Sequence, residues 1–244
     1  MSDDVRHAMA NGAPTVVLHV GGVPIDLQRV APGGFVMGSP QDEEGHAENE
    51  APARHVCVSR PFYLGRHEVT RAQYAVVMGG TRGSAEDDAL PVSQITYAAA
   101  LDFCVRLSRA THLDVHLPTE AQWEYACRAG TRSCYCSGPE ESDLDRVGWY
   151  DGNSQGRVHP VGQKQPNAWG LYDMHGNVWE YCADFIDDYA TMAVTDPHGP
   201  AAARRGAMRG GGWIHGAEYS RAATRLISDD MFGGAGLRIA MSAD

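Results

Sequence analysis

The stretch N167-A-W-G-L-Y-D-M-H-G-N-V-W-E-Y-C-A-D184 decides the fold. Its apolar residues Trp169, Leu171, Tyr172, Val178, Trp179 and Tyr181 follow neither the alternation of a strand nor the period of a helix. Gly170 and Gly176 mark positions where the backbone takes a positive φ or approaches a neighbour closely. Asp173 and Glu180 bracket a tight turn, and two carboxylates with turn carbonyls are the oxygen donors that a hard cation such as calcium prefers. Spacing alone favours a compact turn whose carboxylates face water.

Outside this stretch the chain is punctuated by glycine, 28 in 244 residues, often doubled or tripled as in Gly21-Gly22, Gly33-Gly34, Gly79-Gly80, Gly210 to Gly212 and Gly233-Gly234. That pattern predicts short elements joined by long ordered loops. The length fits one large domain or two small ones. A net charge of −11 argues against binding to a nucleic-acid backbone, and no apolar run is long enough to span a bilayer. The N-terminus carries early acids and no apolar core, so as written it is not a secretory signal and a cytoplasmic location is expected; export after removal of a signal stays open. Six cysteines without a C-x-x-C pair predict reduced, mostly buried thiols.

In chain order, T15-V-V-L-H-V20 and P24-I-D-L-Q-R-V30 around Gly21-Gly22 predict a β-hairpin, and residues 1–29 form an N-terminal extension to a domain over 30–244. Short strands are expected at Phe35–Ser39, Arg54–Ser59 and Phe62–Gly65, with Gln41–Glu50 between them as a solvated acidic loop. Thr70, Thr96 and Thr119 each cap a predicted helix, and Gln73 and Gln122 complete capping boxes for the first and third. The middle helix offers Leu101, Phe103, Cys104, Val105 and Leu107 as a broad apolar face; Gly130 ends the third. His112 and His116 read as a helix end and a strand start, and C134-Y-C136 as ordinary loop cysteines.

The segment G170-L-Y-D-M-H-G-N-V-W-E-Y-C182 closely resembles the hallmark of the formylglycine-generating enzyme, or sulfatase-modifying factor, family. The blocks G34-F-V-M-G-S39, F62-Y-L-G-R-H-E-V-T70, P91-V-S-Q-I-T96, L117-P-T-E-A-Q-W-E-Y-A126, H159-P-V-G162, R209-G-G-G-W213 and G236-L-R-I-A240 follow the family's order. The resemblance implies an irregular α+β fold, loop-rich, with short helices and small antiparallel sheets, related in its C-terminal part to C-type lectin domains.

The oxidase members bind copper(I) through two cysteines in the loop after the R-G-G block. The alignment places His215 and Ser220 at those positions, and no cysteine follows Cys182. Copper(I) favours soft thiolates, so the substitutions argue against the copper-oxidase reaction. For the hallmark, the resemblance implies one structural calcium held by Asp173, the carbonyls of Gly176 and Val178, and Glu180. A further branch, variable proteins diversified by retroelements, uses this frame to display changing C-terminal loops. The frame residues Arg209, Gly210, Gly211, Trp213, Arg221, Arg225, Gly236 and Arg238 are present, and Ile214, His215, Gly216, Tyr219, Thr224, Leu226 and Ser228 fall where such proteins vary.

These readings predict a non-catalytic protein that binds a protein or small-molecule ligand through the loop face of residues 209–238. Trp213, Ile214, His215, Glu218, Tyr219, Thr224, Arg225 and Leu226 are the candidate ligand residues. A metal-dependent oxidoreductase using His215, or a regulatory subunit of a signalling or secretion assembly, is the competing expectation.

Overall fold

The computed structural model describes residues 2–185, 188–189, 191–199, 206–227 and 235–243. Asp187, Ser228 and Gly233-Gly234 lie outside the described residues.

A helix not anticipated from the sequence, α1 (Ser2–Ala10), leads into β1 (Thr15–Val20) and β2 (Val23–Val30), which form the expected antiparallel hairpin. Val16 and Leu18 of β1 and Val23, Ile25 and Leu27 of β2 point inward, the alternation of a half-buried pair. β3 (Gly33–Met37) and β4 (Arg54–Val58) pair antiparallel, and β5 (Phe62–Gly65) runs along β2 with Leu27 opposite Gly65 and Val30 opposite Phe62. The hairpin is thus built into the main sheet.

The three threonine caps form as the sequence predicts. Thr70 and Thr119 each accept from the third helical N–H while Gln73 and Gln122 reach back, closing capping boxes on α2 (Arg71–Met78) and α5 (Glu120–Arg128). Thr96 caps α4 (Tyr97–Thr111), which follows the short α3 (Ala85–Asp88). On α4, Phe103, Cys104 and Leu107 are buried, but Leu101 and Val105 are exposed, so its apolar face is narrower than predicted. His112 ends α4 in the left-handed region and His116 lies in β6 (Val115–His116). The helix α5 ends one residue early, on a buried Ala129 at φ 44°, with Gly130 following at φ 92°.

The remainder is α6 (Glu141–Val147), β7 (Gly148–Trp149), β8 (His175–Gly176), β9 (Glu180–Phe185), β10 (Val194–Thr195), β11 (Gly206–Arg209), β12 (Leu226–Ile227), β13 (Gly236–Leu237) and β14 (Ala240–Ser242). The sheets run β1-β2-β5-β14-β6, β10-β4-β3, β12-β11-β9-β13 and β7-β8. Small sheets and capped helices give the α+β architecture that the hallmark implied, although β10–β4, β13–β9 and β7–β8 pair in parallel where antiparallel sheets were expected. Among the described residues no helix is long and apolar enough to cross a membrane.

The hallmark's lack of a period has a cause in the packing. Trp179 and Tyr181 enter one core with Leu27, Tyr63, Phe103 and Leu237, whereas Leu171, Met174 and Cys182 enter a second around Phe62, Leu64 and Trp123. A segment wedged between two cores buries side chains in several directions. Gly176, at φ 104°, lets it pass: a Cβ there would stand 2.1 Å from the Trp149 carbonyl oxygen.

Candidate functional site

The C-terminal loops rest on buried arginines, each answered by carboxylates. From β11, Arg209 pairs with Glu124 and lies 3.1 Å from Glu120, both on α5, and donates to the carbonyls of Ala222 and Thr224 at 2.9 and 2.7 Å. Arg225 meets Glu120 through two bonds of 2.8 and 2.7 Å. Arg221 meets Glu50 at 2.6 and 3.0 Å and Glu43 at 2.6 Å. The acidic loop 41–50 is therefore not solvated throughout, as its composition predicted: Glu50 is fully buried and anchors the loop to Arg221. Two parallel N–H bonds to one carboxylate fix orientation as well as distance.

On this support sits a cluster of aromatic and apolar side chains. Trp179 meets His215 and Tyr219 edge to face, at ring-centre distances of 5.8 and 6.5 Å, and His215 lies 5.4 Å from Tyr219. Ile214 is 58 % exposed and Tyr219 39 %, while Trp213 and His215 are half-buried and Glu218 is exposed. Trp213 is held from behind by its N–H to the Asn177 carbonyl (2.9 Å) and by Ser154 Oγ donating to its own carbonyl (2.7 Å). Its side chain lines a surface cavity with Arg71, Tyr74, Met78, Val92 and Val158. Gly211, at φ 82°, lies against the stem of the loop, where a Cβ would come within 2.6 Å of Ser220 Oγ.

The structure divides the eight candidate ligand residues. Trp213, Ile214, His215, Glu218 and Tyr219 share one loop and reach the surface to different degrees. Thr224 and Arg225 are buried; Arg225 is committed to Glu120 and to the face of Tyr189, 4.0 Å away, so both correct the surface reading and belong to the support. Leu226 pairs with Met208 across β12 and β11 and packs on the main core.

The hallmark carboxylates are equally divided. Glu180 is filled: Arg238 donates to both oxygens, at 2.7 Å (Nη2) and 3.0 Å (Nε), and Trp123 Nε1 donates to Oε2 at 2.7 Å. Asp173 accepts from the Gly162 N–H at 2.6 Å through Oδ2, but its buried Oδ1 has no partner. Gly176 and Val178 lie between them. A residue the sequence reading passed over, Glu68, is 0 % exposed, and neither of its carboxylate oxygens has a partner. Burial, and then the nearby Asp173 and Glu180 charges, push its carboxyl well above the usual range. Burial raises Asp173 to about 6. Among the described residues no three His, Cys, Asp or Glu side chains converge as a metal site. The calcium set implied by the resemblance thus fits at Asp173 and does not fit at Glu180.

The comparisons with known proteins agree with this fold. The model of the sulfatase-modifying factor enzyme 1-like domain matches residues 25–243. The chain belongs to that family. The formylglycine-generating enzyme of Streptomyces coelicolor is 28 % identical, over 87 % of this chain and 88 % of its own. Among solved structures, Treponema denticola variable protein 1 superposes with a TM-score of 0.83 at 26 % identity, covering 93 % of this chain and 99 % of that one. PvdO from Pseudomonas aeruginosa gives 0.81 at 25 % identity, covering 94 % and 98 %.

The resemblance places the copper thiols of the oxidase members at His215 and Ser220. Here His215 Nδ1 already accepts from Trp179 Nε1 at 3.4 Å, and burial lowers the imidazole's pKa. Ser220 is buried, its Oγ unpartnered, and its carbonyl accepts from His175 Nδ1 at 2.7 Å. An imidazole and a hydroxyl do not reproduce a soft dithiolate, so the family's copper(I) site does not fit these residues. The thiols lie elsewhere. Burial pushes Cys104 and Cys136 up to about 12, and Cys127 and Cys182 well above the usual thiol range, whereas Cys57 is exposed and Cys134 half-buried, so only three of the six thiols are buried.

Proposed function

We propose that this member of the sulfatase-modifying factor family is a non-catalytic binding protein that recognises a protein or small-molecule ligand through the loop carrying Trp213, Ile214, His215, Glu218 and Tyr219. One observation carries the reading: at the place of the oxidase thiols stands a packed aromatic cluster, exposed at Ile214 and Tyr219 and braced from below by buried ion pairs. Rigid aromatics lose little conformational entropy on binding, which is why tryptophan and tyrosine dominate recognition surfaces. The likeness to a variable protein of Treponema denticola supports placing recognition on the C-terminal loops. A near-copy of the C-terminal coding region beside a reverse-transcriptase gene would extend the reading to a retroelement-diversified protein. A structural calcium within the hallmark belongs to the same reading, as a pin for the support and not as a reactant.

The test compares affinity capture from the source organism by the wild-type chain and by a Trp213→Ala, Ile214→Ser, Tyr219→Ala variant. Because the altered residues are partly or largely exposed, the melting temperature is expected to change little. Retained proteins should disappear, each lost anchor weakening binding by about 2 kcal/mol, roughly thirtyfold. Equal capture by both chains would sink the proposal. The relationship to formylglycine-generating enzymes favours a second reading, a metal-dependent oxidoreductase using His215, and copper retained with oxygen consumption would establish it.

A further inference from the structure

A cavity of about 440 Å³, distinct from the one beside Trp213, opens between β4, the start of α5 and the segment that follows β9. Met37, Ala121 and Val194 give it an apolar wall. Its buried acids are spent: Glu120 meets Arg225, and Asp184 accepts from the N–H groups of Glu120 and Gly199. Asp188 stays at the exposed rim. Two of its donors are not spent. Tyr189 is 6 % exposed, and its hydroxyl has no partner. Burial, and then the nearby Glu120, push the phenol well above its usual range, so the O–H keeps its proton. The Tyr189 ring is held between two guanidinium groups, Arg225 at 4.0 Å and Arg54 at 4.4 Å. Arg225 is committed to Glu120, whereas Arg54, on β4, has no ion pair among the described residues and its buried Nε has no partner. Two orphaned donors on adjoining side chains of one cavity call for a shared acceptor.

We infer that this cavity binds a small organic monocarboxylate, its oxygens taking the Tyr189 O–H and the Arg54 guanidinium and its apolar body lying against Met37, Ala121 and Val194. A guanidinium matches the planar carboxylate better than any other anionic head, and a charged acceptor makes the stronger bond to both donors. The apolar wall and the volume leave room for a body beyond that head, which a simple inorganic ion would leave empty. Glu120, Asp184 and Asp188 border the same space and repel a second negative charge, so a monoanion is favoured over a phosphate. The site goes beyond the loop reading and shares no residue with the Trp213–Tyr219 face. Arg225 alone belongs both to this cavity and to the support under the C-terminal loops.

The experiment titrates the full chain with benzoate, benzamide or inorganic phosphate at neutral pH and constant ionic strength. Calorimetry reads stoichiometry and affinity, and thermal melting reads stability. One benzoate per chain is expected, with a raised melting temperature that benzamide and phosphate do not reproduce. Tyr189→Phe keeps the ring between its two guanidinium groups and removes only the donor. It should weaken benzoate binding about tenfold, as the loss of one hydrogen bond to a charged group does, without lowering the melting temperature of the ligand-free chain. Arg54→Lys keeps the charge but loses the planar fork and should weaken binding about as much; it gives the same reading should Tyr189→Phe fail to fold. No benzoate bound at about 10 mM, the weakest affinity that a modest ligand efficiency gives a molecule of this size, overturns the inference. So does binding unchanged in both variants, or equal binding of benzamide, which would show that no charge is read. Phosphate bound in place of benzoate would sink the monocarboxylate class. None of these results bears on the Trp213–Tyr219 face, which is judged by its own variant.

Discussion

Glu124 shows how a single side chain organises the support under the candidate site. Its carboxylate meets Arg128 at 2.8 Å and Arg209, and accepts the Gly38 N–H at 2.9 Å. Burial alone would raise its pKa, but Arg128, Arg209 and the Gly38 N–H outweigh it and hold the carboxyl below the ordinary value of 4.5. A depressed folded pKa means that the unfolded chain binds the proton more readily. Glu124 therefore contributes stability that is complete above 4.5 and is lost as pH falls from there through its folded pKa. Glu124→Gln should be less stable at neutral pH, because two guanidinium groups lose their partner, and its stability should fall less steeply on acidification. Urea denaturation followed from neutral to acidic pH checks both; parallel curves for the two chains would refute the assignment. None of this was legible beforehand, because Glu124 sits in an ordinary helical pattern and Arg209 is 85 residues away. Glu50 was misread for the same reason: its loop looks solvated until Arg221, 171 residues on, is placed against it.

At the level of elements, the sequence was clearest where the determinants are local. The capping boxes at Thr70 and Thr119 are written within four residues, and both form. The hairpin follows from alternation around Gly21-Gly22, whose φ values are 54° and 80°. The hallmark was legible only by resemblance, since a segment shared between two cores has no period to read. The apolar face of α4 was overestimated because periodicity shows which residues could be buried, not how wide the neighbouring surface is. The helix α5 concentrates the consequences, since it carries Glu120, Trp123, Glu124 and Arg128 into the support. Thr119→Ala should cost about 1 kcal/mol and lower the urea midpoint with little change of slope. A change confined to the baseline, with an unaltered midpoint, would mean that the cap is redundant.

For the molecule as a whole, fold and function separate along the chain. The family blocks supply most of the two cores, whereas the loop from Trp213 to Tyr219 bears the candidate ligand surface and is tied to that architecture through Trp179 and Asn177. The sequence showed which thiols were missing, but not that Arg225 would turn inward, because its partners on α5 and in the loop before β4 are remote in the chain. The central claim is that this scaffold recognises and does not oxidise. Anaerobic titration with copper(I) against a competing chelator, followed by oxygen uptake in the presence of a cysteine-containing peptide, tests it most directly. The account predicts that the chelator keeps the copper and that oxygen uptake stays at the background rate. One copper ion held per chain, with oxygen uptake abolished by His215→Ala, would contradict it.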